Sequence, residues 1–139
     1  MKVKKKDINI YRDVTYAGEP TNLMRGDIFT VYGIEVIENE KYYLIQFEGN
    51  YTVRLYHSDN FDIIDSTHSK HWIEDEDCEG RFLFKEWIAN GDYLEWFFNG
   101  GQYLGLEDWE FPDGLEYFPH YEKLIKEEKK GSIVSTKQI

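Results

Sequence analysis

The chain holds a single cysteine, Cys78, among 139 residues, which excludes an internal disulfide framework. No apolar run approaches the roughly 20 residues that span a bilayer. No charged-then-apolar leader opens the sequence, because Met1-Lys2-Val3-Lys4-Lys5-Lys6 leads straight to Asp7. The expectation is a soluble cytoplasmic protein without membrane association. Walker, Rossmann-glycine and Gly-x-Ser-x-Gly patterns are all missing, and Gly91, Gly100 and Gly101 stand in no phosphate-binding context. There is no internal repeat and no low-complexity tract.

Positive charge is scarce where negative charge is dense. Between Asp59 and Glu122, 17 Asp and Glu face only Lys70, Arg81 and Lys85, a balance of 3 − 17 = −14 in a chain whose net charge is −11. Such a surface repels nucleic acid and anionic membrane and speeds encounter with basic partners, and it also serves plain solubility. A hydrophobic share of 41% with 17% aromatics is enough to pack a core despite that charge. The length suits one ordinary domain with an appendage.

The apolar patterning is mostly of period two. Asp7 to Tyr11 alternates as a first strand with Ile8 and Ile10 inward and the preceding lysines solvated, and residues 12–22 form a loop around Gly18, Pro20 and Asn22. Ile28, Thr30, Tyr32 and Ile34 fall on one face of a long strand, with Phe29, Val31, Gly33 and Glu35 on the other. Gly33 marks a bulge or corner. Asn39-Glu40 makes a turn, Lys41–Glu48 a strand, Gly49-Asn50 a hairpin closure and Thr52–Tyr56 a further strand. A turn at Ser58-Asp59-Asn60 precedes a last strand, Phe61–Asp65, with Phe61 and Ile63 on a common face. Short strands at this spacing predict a small antiparallel barrel.

The order Leu23-Met24-Arg25-Gly26-Asp27-Ile28-Phe29-Thr30-Val31-Tyr32, then Tyr42-Tyr43-Leu44-Ile45, then Tyr56 and Asn60-Phe61-Asp62-Ile63-Ile64, resembles small SH3-like proteins of Gram-positive bacteria and their phages. The resemblance spans about 40 of the 139 residues, rests mainly on core positions, implies a fold and transfers no active site. The expected class is α+β, mainly β. An SH3-like barrel over residues 1–65 is followed by an acidic linker over 66–80, an aromatic, acidic segment with short helices over 81–131, and a loose tail over 132–139.

Beyond the linker the period is ambiguous. Leu83, Phe84, Trp87 and Ile88 have helical spacing, yet Asn90-Gly91 is a favoured hairpin dipeptide; helices are the preferred reading. Asp92 then caps a second short helix carrying Tyr93, Leu94, Trp96, Phe97 and Phe98. The stretch 102–118 is irregular and pinned by aromatics. Pro119 opens a last helix with an apolar stripe of Tyr121, Leu124 and Ile125 and a basic end at Lys126, Lys129 and Lys130.

Three constellations bear on chemistry. His68-x-x-His71 with Cys78 offers metal-ligand types, but a structural zinc site has two tight pairs and here there is one, so a solvated acidic linker is the preferred reading. Residues 74–79 lack the ligand alternation and turn glycine of a calcium loop. Carboxylates beside Cys78 disfavour its thiolate, and Glu86 and Glu95 stand out among the acids only for their aromatic neighbours. The third constellation is aromatic. Trp87, Tyr93, Glu95, Trp96, Tyr103 and Trp109 combine buried-anchor side chains with an acidic rim, a composition suited to binding a basic protein.

The function expected from the sequence is therefore a non-enzymatic interaction module with no cofactor, of the kind an immunity protein or a phage-encoded inhibitor represents. The alternatives are a small-ligand or metal-dependent enzyme using a cleft between barrel and C-terminal segment, and a housekeeping module.

Overall fold

The computed structural model describes residues 1–46, 53–90 and 121–128. These form two antiparallel sheets with short helices, an α+β architecture that is mainly β. A three-stranded sheet has the order β2-β1-β6, from β1 (Lys2–Lys5), β2 (Ile28–Thr30) and β6 (Phe61–Asp65). A five-stranded sheet has the order β5-β4-β3-β8-β7, from β3 (Ile34–Ile37), β4 (Glu40–Gln46), β5 (Val53–His57), β7 (Trp72–Glu74) and β8 (Phe82–Phe84). The sheets do not close into a barrel among the described residues. Helix α1 (Lys85–Asn90) follows β8, and a second helix, α2, covers 121–128.

The first strand lies earlier than the alternation of Ile8 and Ile10 predicts. Asn60, fully buried, accepts from the Ile10 N–H at 2.6 Å and donates to the Ile10 carbonyl at 2.9 Å, so it occupies both backbone groups that a strand there would need. Lys2–Lys5 pairs instead, with Val3 inward. Lys5 is not solvated but 3% exposed, because its Nζ donates to the carbonyls of Lys6 (2.8 Å) and Ile8 (2.6 Å) and to Asn9 Oδ1 (2.9 Å). Three acceptors match the three donors of an ammonium. Burial nonetheless pulls the Lys5 pKa below its ordinary value, with Asp7 opposing that shift.

The long strand expected from residue 28 is two strands joined by a corner at 31–33. The Val31 N–H bonds Met1 in the small sheet, whereas the Tyr32 N–H reaches the Leu44 carbonyl and the Gly33 carbonyl accepts from Leu44 in the large one. Gly33 suits the corner, since a Cβ would lie 2.6 Å from Leu83 Cδ2 and 2.8 Å from Leu44 Cδ1 and would displace those two buried side chains. The β3–β4 turn is Glu38-Asn39, one residue earlier than expected. Both residues have positive φ, 52° and 67°, the pattern of a type I′ hairpin whose twist matches its strands.

Strands β4, β5 and β6 fall where the sequence places them; the expected Gly49-Asn50 closure lies outside the described residues. Phe61 is buried against Phe29 and Tyr43, but Ile63, expected on the same face, is 53% exposed. The stretch 66–80 contributes β7, so the large sheet takes strands from both sides of residue 65. Residues 82–90 divide between β8 and α1 rather than forming one helix, because Leu83 and Phe84 fill the sheet's core position beside Gly33. Phe84, Trp87 and Tyr121 make an aromatic triangle with ring centroids 4.7, 4.7 and 4.9 Å apart. Burying a side chain of this size is worth about 2 kcal/mol or more, and the three ring contacts tie α1 and α2 to the sheet.

Candidate binding surface

The densest run of carboxylates, residues 74–79, lies at the tip of the β7–β8 hairpin. Strand β7 forms because Trp72 packs inward and pairs with Phe84, leaving Ile73 and Glu74 exposed on the sheet edge. The tip is tightly bonded. Asp75 N–H bonds the Arg81 carbonyl at 2.9 Å, Cys78 N–H the Asp75 carbonyl at 3.1 Å, and Arg81 N–H the Cys78 carbonyl at 3.2 Å. Asp75 Oδ1 accepts from Asp77 N–H at 3.0 Å, and Glu74 Oε2 from Gly80 N–H at 3.0 Å, with Gly80 at φ 85°.

One guanidinium anchors this loop. Arg81 donates through Nε to Glu35 on β3 and through Nη1 to Asp75 Oδ2 at 2.6 Å. All three side chains are largely buried, so the bonds are charge-assisted in a medium poorer than water. The Asp77 N–H, and after it the Arg81 guanidinium, hold the Asp75 carboxyl below the usual range. Six carboxylates, Glu35, Glu74, Asp75, Glu76, Asp77 and Glu79, thus face one guanidinium, 1 − 6 = −5. Glu74, Glu76, Asp77 and Glu79 are the exposed members; Glu74 is tied to Gly80 N–H, which leaves Glu76, Asp77 and Glu79 at the loop itself. The sequence shows the acidity of this stretch; its anchor, 46 residues from Glu35, leaves no local signal.

The other candidates disperse. His68 packs on Phe82 (4.4 Å) and Trp72 (5.5 Å), and His71 stacks on Phe84 (6.5 Å). Cys78 sits in the hairpin tip, and no group of three or more His, Cys, Asp or Glu able to hold a metal is found among the described residues. Trp87 is fully buried in the aromatic triangle and is a core residue rather than a surface anchor. Tyr93, Glu95, Trp96, Tyr103 and Trp109 lie outside the described residues. An open groove of about 550 Å³ separates the small sheet from α2, lined by Met1, Tyr32, Thr67, Ile125 and Glu128 among others. None of His68, His71, Cys78 and Glu86 lines it, and both Glu128 oxygens are engaged, by Ser69 Oγ (2.8 Å) and Lys70 N–H (2.9 Å).

A second polar cluster escaped sequence reasoning. His57, buried at the end of β5, accepts from Asp59 N–H through Nδ1 at 3.1 Å, which assigns its proton to Nε2. Nε2 lies 3.3 Å from Glu40 Oε2 without hydrogen-bond alignment, and Arg12 Nε lies 3.3 Å from the same oxygen. Burial, then Glu40, raises the pKa of adjoining Tyr42. This cluster ties the 6–27 loop to the β4–β5 hairpin.

Comparison with known proteins finds no matching family model, no matching curated protein and no matching solved structure. Among the described residues no helix is long and apolar enough to cross a membrane.

Proposed function

We propose that the protein is a non-enzymatic binding module, working in the cytoplasm, that presents an acidic surface to a basic protein partner. The observation that carries this reading is the β7–β8 tip. Three exposed carboxylates, Glu76, Asp77 and Glu79, project from a loop already bonded into one shape. Pre-ordering lowers the entropy cost of association, and uniform negative charge speeds encounter with a cationic surface. Immunity-protein-like neutralisation of a basic toxin and phage-type inhibition of a nucleic-acid-binding protein are the two forms this activity takes. An SH3-like relationship belongs to the same proposal. Its support is the segment 28–37, which bends at Gly33 and serves both sheets.

The test is parallel capture from lysate at low salt with the wild-type chain and with the triple substitution Glu76→Gln, Asp77→Asn, Glu79→Gln. A basic protein retained by the wild type and lost by the triple variant supports the proposal; equal retention by both rejects it. Added DNA that displaces the partner identifies the inhibitor form.

A further inference from the structure

His57 ends β5 and caps the short 3-10 turn Ser58–Asn60. Its side chain is buried, and Nδ1 accepts the Asp59 N–H at 3.1 Å, a donor that the start of a helical turn otherwise leaves unpaired. Asn60, the last residue of the turn, donates to the His57 carbonyl at 3.1 Å and engages both backbone groups of Ile10, and its own carbonyl accepts from the Lys6 N–H at 2.8 Å. The turn that His57 caps therefore holds the 6–10 segment in place.

Among the described residues the ring is faced by Glu40 and Tyr42 from β4, by Asp59 from the turn and, behind Glu40, by Arg12 from the loop. Glu40 Oε2 lies 3.3 Å from Nε2, 3.3 Å from Arg12 Nε and 3.5 Å from the Tyr42 hydroxyl. Asp59 Oδ2 lies 3.8 Å from Nδ1, and the Tyr42 ring stands edge-to-face at 5.3 Å.

A proton changes what this ring can do. Neutral imidazole keeps one acceptor, whereas imidazolium has two donors and no acceptor. A hydrogen on Nδ1 would point at the Asp59 N–H, so the cap bond does not survive protonation. The charged ring has other partners, Asp59 Oδ2 for Nδ1 and Glu40 Oε2 for Nε2. Exchanging the Asp59 N–H for the carboxylate of the same residue turns Asp59 and shifts Asn60, which follows it. Drawing Glu40 to Nε2 sets the ring in competition with Arg12, the other tie between the loop and β4. Both changes loosen the 6–12 segment.

We propose that His57 is a pH-responsive latch: its neutral ring caps the turn 58–60 and holds the 6–12 segment against the sheet, and its protonated ring releases that segment. Histidine is the side chain that ordinarily changes charge between about pH 5 and 8. No residue of the acidic tip takes part, so the latch is independent of what binds there.

The test follows the full ¹⁵N-labelled chain from about pH 8 to about pH 5, reading the His57 ring nitrogens and the amide protection factor of Ile10. The neutral ring is expected as the Nε2–H tautomer. As it takes its proton, Ile10 protection is expected to fall about tenfold with the same midpoint, while Leu44, bonded to Gly33 within the large sheet, keeps its protection. His57→Asn offers an amide oxygen to the Asp59 N–H and takes no proton, so there Ile10 stays protected throughout. Constant Ile10 protection while the wild-type ring titrates overturns the latch, and so does a ring that stays neutral down to about pH 5. An equal fall in folded His57→Asn overturns it and assigns the effect to a carboxylate. Should that variant not fold, the wild-type chain decides alone: loss of Ile10 protection displaced from the midpoint of the ring rejects the proposal.

Discussion

Arg81 is the residue on which the shape of the acidic tip depends. Its guanidinium pairs with both Glu35 and Asp75, and its side chain is 19% exposed. Removing one partner of a buried ion pair leaves the other charges uncompensated, which costs about 3 kcal/mol or more. Arg81→Ala is therefore expected to lose about that amount in urea unfolding. A cost under about 1 kcal/mol places the triad among surface pairs of little consequence. Asp75 adds an acid limit. Its folded pKa is depressed, so its contribution is present above the unfolded carboxylate value and is lost as pH falls through the folded one. At this scale the sequence showed which residues are acidic but not that one arginine organises them, because Glu35 and Arg81 meet only through the β3–β8 pairing.

At the scale of elements, strands β4 and β6 were legible because a run of β-branched and aromatic residues ends at turn-forming residues on both sides. The first strand was not legible. A four-residue lysine-rich segment with Val3 and Lys5 buried forms the strand because Lys5 finds three acceptors and Asn60 takes up the Ile10 backbone, and both are tertiary facts. The helix expected from residue 81 fails for the same reason: the spacing of 83, 84, 87 and 88 is helical, but Phe82–Phe84 pairs with β7 and β3 before the chain coils. Of the six aromatic-site residues, Trp87 shows how an aromatic that reads as an anchor serves a core. The β3–β4 turn offers a direct check. Glu38 holds φ at 52°, a region that costs a non-glycine residue roughly 1 kcal/mol, so Glu38→Gly is expected to raise stability by about 0.5–1 kcal/mol in denaturant unfolding. A loss of stability removes the type I′ assignment.

The molecule as a whole couples its tyrosines to folding. Burial raises the pKa of Tyr32, Tyr42, Tyr43 and Tyr56, with Glu122, Glu40, Asp59 and Glu19 adding to it. A group whose folded pKa lies above its unfolded value contributes stability that is complete below the unfolded pKa and declines as pH rises through the folded one. Stability is accordingly expected to fall above about pH 10. Tyrosinate absorbance from these four rings should appear together with loss of circular dichroism, while exposed tyrosines ionise earlier. Ionisation of every tyrosine before any unfolding contradicts the burial.

The charge of the whole chain carries the functional account, and the direct measurement is the salt dependence of binding to the captured partner. Screening shortens the reach of exposed charges to about 10 Å at 0.1 M and less above it. Between about 50 and 500 mM salt the dissociation constant is expected to weaken by roughly a hundredfold, mainly through slower association, and the Glu76→Gln, Asp77→Asn, Glu79→Gln variant should show most of that slope removed. An affinity that is unchanged across this range contradicts the claim that an acidic surface recognises a basic partner.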